Sequence, residues 1–170
     1  MNAIILSAIL GVILMFSGIF LTSKTAIRNI ATAGMALLLL ANIAEQGGFL
    51  LFDVNTHNML VFSKFGLLFN SIAFSATLLF FLVSAKDITN VGINAAEYFA
   101  LIFFISCGIA IVSSFNSLLL LILGIEIISI PLYILTGSDK RNLKSNEASL
   151  KYFLMGSFST GIMLLGIALV

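Results

Sequence analysis

The stretch LLLLILGIEIISIPLY, residues 118–133, sets a single carboxylate, Glu126, near the middle of an apolar segment long enough to cross a bilayer. At 1.5 Å per residue, a helix entering the hydrocarbon near Asn116 reaches Glu126 after roughly 15 Å, about half of a ~30 Å core. An ionised carboxylate at that depth costs about 2.5 to 3.5 kcal/mol on insertion scales, so it must be protonated, paired with a cation or placed beside water. Burial disfavours the charged form of a carboxylate and a nearby cation favours it, so a group in this setting with a moving partner suits proton carriage. Pro131 has no N–H for the carbonyl of Ile127 and crowds the same turn, which predicts a local kink. Loosened backbone at membrane depth is tolerated where protein or water satisfies it, so the pair favours a hydrated interior site over a lipid-facing one.

The rest of the chain fits that setting. Of its 170 residues 61% are hydrophobic and 9% charged, with a mean hydropathy of +1.20, against about half apolar and about a quarter charged in a soluble domain. The composition reads as an all-α integral membrane protein. A net charge of +1, with no aromatic-interleaved basic patch, gives no sign of nucleic-acid binding. One cysteine, Cys107, excludes an internal disulfide and a Cys-ligated iron–sulfur cluster supplied by this chain alone. Neither a dinucleotide nor a nucleotide phosphate loop is present, and no metal site is expected.

Apolar runs predict six transmembrane helices, at about residues 3–22, 30–44, 60–84, 96–113, 117–136 and 147–169. The first lacks the basic start and small-residue cleavage site of a signal peptide and is read as retained. Its Ser7, Gly11 and Gly18 form a small-residue face suited to close packing. The connection after span two gathers Asp53, Asn55, Thr56, His57 and Asn58 into an ordered loop with room for a short extended piece. His57, the one histidine, has no second ligand at metal spacing. In span three Lys64, Ser71 and Ser75 share a helical face, read either as a polar seam or, for Lys64, as snorkelling toward the headgroups. Cys107 in span four reads as a packing residue. Asn116 is a candidate N-cap for the Glu126 helix, and Ser157 and Gly161 in span six make a small-xxx-small pair.

Lysine and arginine follow spans one, three and five, so the positive-inside rule makes loops 23–29, 85–95 and 137–146 cytoplasmic and puts the N-terminus outside. Lys151 follows Glu147 in the order favourable for a helix-surface ion pair, or else is a cation within the bundle able to bias Glu126. The run reaches Val170 with no flanking charge or aromatic anchor, so the chain is expected to be the front part of a longer one.

GIEIISIPLYIL (residues 124–135), a basic loop and NEASLKYFLMGSFSTGIMLLGIAL (residues 146–169) together resemble the antiporter-like N subunit of respiratory NADH-quinone oxidoreductase, complex I. The EYF of residues 97–99 fits the same pattern. The resemblance is specific from about residue 97 onward, and before that rests on hydropathy and helix order. It implies the N-terminal part of a subunit of about fourteen helices built on inverted repeats. It also implies a cell inner-membrane location and proton translocation coupled to quinone reduction, with Glu126 and Lys151 as the proton-handling residues. NADH, FMN, iron–sulfur clusters and quinone are then expected on partner subunits and none on this chain, with the other membrane subunits of the complex and the lipid bilayer as partners. A related subunit of a cation/proton antiporter or membrane-bound hydrogenase, and a structural or assembly membrane protein, are the alternatives.

Overall fold

A computed structural model describes residues 1–20, 23–52, 56, 58–90 and 94–169, with 84–90 described by backbone alone. Six α-helices follow one another: α1 (Asn2–Phe20), α2 (Lys24–Gln46), α3 (Lys64–Asn90), α4 (Ala95–Ser113), α5 (Leu118–Thr136) and α6 (Leu143–Ala168). All six are long and apolar enough to cross a membrane. Several outrun their apolar runs. Helix α2 begins at Lys24 instead of near residue 30, and α6 at Leu143 instead of 147, where the Asn142 side chain accepts the Lys144 N–H at 3.0 Å. Backbone hydrogen bonds continue through polar residues at the interface, and an asparagine cap satisfies an N–H that the first turn leaves open. Helix α3 likewise continues to Asn90 through much of the polar connection.

Helix α4 is the axis of the bundle, in contact with α1, α2, α3 and α5. Its share of buried residues is 56%, against none for α6, which touches α5 alone among the described helices. Phe99 and Phe103 on α4 meet Phe74 and Phe81 on α3, all fully buried, and the Phe81 and Phe99 rings meet edge-on at 4.9 Å. Leu14 of α1 and Met35 and Leu38 of α2 close the same core. Without a hydrophobic driving force between helices in lipid, close approach depends on small residues and shape. Gly11 of α1 lies against the Phe104 ring, and a Cβ on Gly18 would stand 2.7 Å from Ala96 Cβ, so the small face of α1 does pack on α4. Between α4 and α5 the fit is tighter: a Cβ on Gly108 would fall 2.6 Å from Ile128 Cγ1, and one on Gly124 2.6 Å from Val112 Cγ2.

Polar groups gather at one end of the bundle. The Met1 amino group is ion-paired with Glu45 at the end of α2. Burial pushes this amine below its usual range, and the Glu45 contact opposes that shift. The fully buried Asn2 side chain donates to Phe49 O at 3.0 Å and accepts from the N–H groups of Leu51 and Phe52. Gly48, at φ +87°, turns the chain out of α2, with the Phe49 N–H donating back to Ala44 O at 3.0 Å. Just after the loop in which an extended piece is expected, a single bridge joins Leu60 to Phe115. Val61 N–H donates to Ser114 O at 2.8 Å, and Asn116 N–H to Met59 O at 2.9 Å. Asn116 is not the cap of α5: Ser117 holds that position, and the Asn116 amide donates to Asn58 O at 2.7 Å because the α2–α3 connection lies across the α4–α5 turn.

Below this layer, buried Asn42 of α2 donates to Leu67 O at 2.9 Å and to Ser71 Oγ at 2.8 Å on α3, and Gln46 donates to the same two acceptors. A double-mutant cycle of Asn42→Ala with Ser71→Ala, read by thermal unfolding in detergent, should give a coupling of about 0.6 kcal/mol, the usual worth of an interhelical hydrogen bond in a membrane protein. Gly108→Leu should destabilise the chain by about 1 to 3 kcal/mol through overpacking against Ile128. Gly161→Ala, with nothing within 4 Å of its added Cβ, should stay within about 0.5 kcal/mol. Equal melting of the two glycine variants would contradict the described α4–α5 contact.

Candidate functional site: the Glu126 face of α5

The side of α5 that meets α4 is fixed by Gly124 and Ile128. At about 100° per residue, Glu126 points roughly 200° away from Gly124, off the α4 contact. It is half-buried, and among the described residues its carboxylate makes no hydrogen bond and no ion pair. Tyr133, two turns on, falls within about 20° of the Glu126 direction, and α6 covers it there. Ser149 Oγ donates to Tyr133 O at 2.8 Å, and the Tyr152 ring meets the Tyr133 ring edge-on at 4.8 Å. A Cβ on Gly156 would overlap the Tyr133 hydroxyl.

The carboxylate thus lies on a stripe of α5 that α6 begins to roof. Pro131 is buried within a helix that runs on to Thr136, leaving the Ile127 carbonyl, next to Glu126, without its usual N–H donor. Two residues before the proline, Ser129 Oγ donates to Ile125 O at 2.8 Å, an added local load on the same backbone.

Lys151 lies at the depth of Tyr133, since Ser149 and Tyr152 on either side of it both touch that residue. From there to Glu126 is roughly 10 Å along the helix axis. Its ammonium donates to Glu147 Oε1 at 2.6 Å, with the two side chains 69% and 64% exposed. Glu126 and Lys151 are therefore on neighbouring helices without touching.

Other candidates separate in the same way. Of Lys64, Ser71 and Ser75, Ser71 alone reaches another helix; Lys64 is exposed and Ser75 Oγ donates to Ile72 O of its own helix at 2.8 Å. Ser157 and Gly161 do not form the α6 contact, which runs through Ser149, Tyr152, Phe153 and Gly156 because α5 presents Tyr133 at that level. Cys107 is buried and its thiol donates to Ile4 O at 3.6 Å, a packing position. His57, Asp53 and Asn55 lie outside the described residues. Asn42 was open to recognition as a lone carboxamide in an apolar run, and Tyr133 only through its spacing from Glu126. Among the described residues no three His, Cys, Asp or Glu side chains come together as metal ligands.

Residues 115–170, α5 and α6 with the turn before them, match a family described as NADH:quinone oxidoreductase/Mrp antiporter, TM. NADH-quinone oxidoreductase subunit N of Cytophaga hutchinsonii is 40% identical over the whole chain, which covers 36% of that relative's length. The Flavobacterium psychrophilum protein of the same name is 36% identical over the whole chain and 36% of its own length. That of Trichlorobacter lovleyi is 32% identical over the whole chain and 34% of its length. The chain spans about a third of the length of the curated relatives it matches, and it belongs to the NADH-quinone oxidoreductase subunit N family.

Proposed function

We propose that this chain is part of a proton-translocating membrane subunit of respiratory NADH-quinone oxidoreductase, in which protons pass by way of Glu126 and Lys151. The observation that carries the reading is Glu126 itself: a half-buried carboxylate without a partner among the described residues, at mid-depth of α5 and on the stripe that α6 roofs. A carboxyl group so placed is stable when protonated and becomes chargeable when water or a cation arrives, which is what a proton stopping point requires. Pro131 adds a free carbonyl at the same level, a second acceptor for water beside the carboxylate. Electron transfer, with NADH, FMN, iron–sulfur clusters and quinone, belongs in this reading to partner subunits. The chain lies in the inner membrane beside other antiporter-like subunits, with its N-terminus outside and its basic loops inside.

Lys151 acts over a distance in this reading. The axial offset alone is about 10 Å, and at an effective dielectric constant of about 20 unit charges that far apart interact by at most roughly 1 to 2 kcal/mol. Glu147 holds the ammonium in its resting position and competes with the carboxylate for it. The description of the matching family also names Mrp antiporters, so ion exchange without quinone chemistry is the second reading; dependence of transport on sodium with no quinone requirement would favour it.

In the intact complex reconstituted into vesicles, Glu126→Gln should leave assembly unchanged and lower NADH-driven proton uptake by about tenfold or more, the scale of losing a positioned acid–base group. Uptake at the original level would remove Glu126 from the route. Lys151→Met should also lower uptake, whereas Glu147→Gln, which breaks the same surface pair, should retain most of it. Equal and slight effects of those two substitutions would mean that Lys151 serves the helix surface alone.

A further inference from the structure

At the end of the bundle opposite the Asn2 and Asn116 contacts, a cavity of about 370 Å³ opens between the start of α4 and the end of α5. Its polar wall is Asn94, Glu97, Ser138 and Lys140, and its apolar floor includes Leu101 and Ile134. A second cavity, of about 380 Å³, continues from it along α4, between Phe80 of α3, Ile102 and Ile105 of α4 and Leu132 of α5. Tyr98 and Leu135 line both. From Tyr98 to Ile105 the groove descends roughly 10 Å into the hydrocarbon.

The two spaces make one amphipathic slot, charged at the membrane surface and apolar below. We propose that it holds one phospholipid with a zwitterionic amine head group, its phosphate at Lys140 and its amine at Glu97, with an acyl chain in the groove. The charges select the head group. Asn94 Nδ2 donates to Glu97 Oε1 at 2.8 Å and steadies the carboxylate. Among the described residues neither Glu97 nor Lys140 has an ionic partner, and the two do not pair with each other. A purely anionic lipid would satisfy Lys140 and set a phosphate beside Glu97, whereas a lipid carrying both signs satisfies both. The Tyr98 ring, half-buried between the two cavities, stands where an aromatic side chain meets the interface with one end apolar and the other wet.

The test is photocross-linking of the full-length subunit in vesicles of equal parts phosphatidylethanolamine and phosphatidylglycerol. A benzoylphenylalanine replaces Leu101 in the cavity or, as the reference for bulk lipid, Leu165, which is 63% exposed on α6. Adducts at position 101 should favour phosphatidylethanolamine about fivefold, against parity at 165, and Glu97→Gln should return position 101 to parity. Lys140→Gln should lower the total lipid adduct at 101. The proposal is overturned by parity at 101 in the unsubstituted subunit, by a preference that Glu97→Gln leaves unmoved, or by cross-links to a later segment of the subunit or to a neighbouring protein. If replacement of Leu101 prevents insertion, the probe moves to Ile134, on the same cavity floor and 52% exposed, with the same outcomes.

Discussion

Hydrocarbon offers no hydrogen bonds, and nearly everything in this fold follows from that lack. Each backbone N–H and C=O must be satisfied within its own helix, and each polar side chain needs a partner in the protein or a place at the edge. The chain meets the first demand with six helices and the second by moving its polar groups to the ends of the bundle. Asn2, Asn42, Gln46, Ser71 and Asn116 tie α1 to α2, α2 to α3 and the α2–α3 connection to the α4–α5 turn, all at one end. Glu126 is the departure: a carboxylate kept at mid-depth beside a carbonyl that Pro131 leaves free.

The helices and the depth of Glu126 were legible in the sequence, because long apolar runs and one interrupting carboxylate are signals of composition. The helix faces were not. Membrane helices such as α4 and α5 are apolar all round, so the periodicity that reveals a buried face in a soluble protein is missing. What decides the contact is shape. Gly108 and Gly124 meet across α4 and α5, and Gly156 receives Tyr133, whereas the equally small Ser157 and Gly161 face no described helix. Asn116 looked like a cap because it precedes a helix, and it bonds elsewhere because a loop distant in sequence lies over it. The ends of α2 and α6 ran past their apolar segments for a related reason: a helix ends where its hydrogen bonds end, and interfacial lysines do not stop it.

The separation between Glu126 and Lys151 bears on how a proton would travel. A gap of about 10 Å is too long for direct transfer and is bridged only by intervening water or side chains. Tyr133, at the depth of Lys151, has its hydroxyl against Gly156. On α6, Lys151 points roughly 200° from Ser149 and roughly 100° from Tyr152, away from the α5 contact and toward Glu147, so under the proposed function a relay has to reach around α6 as well as along it.

The uneven placement of the cross-ties also has a mechanical meaning. Where Asn2 and Asn116 lie the segments are joined by directional hydrogen bonds, whereas where α4 begins the described helices are joined mainly by fit, Gly18 against Ala96 and Phe81 against Phe99. A hydrogen bond fixes direction as well as distance, and an apolar contact fixes distance alone. The slot beside Tyr98 is therefore bounded by helices whose register at that end is set chiefly by packing.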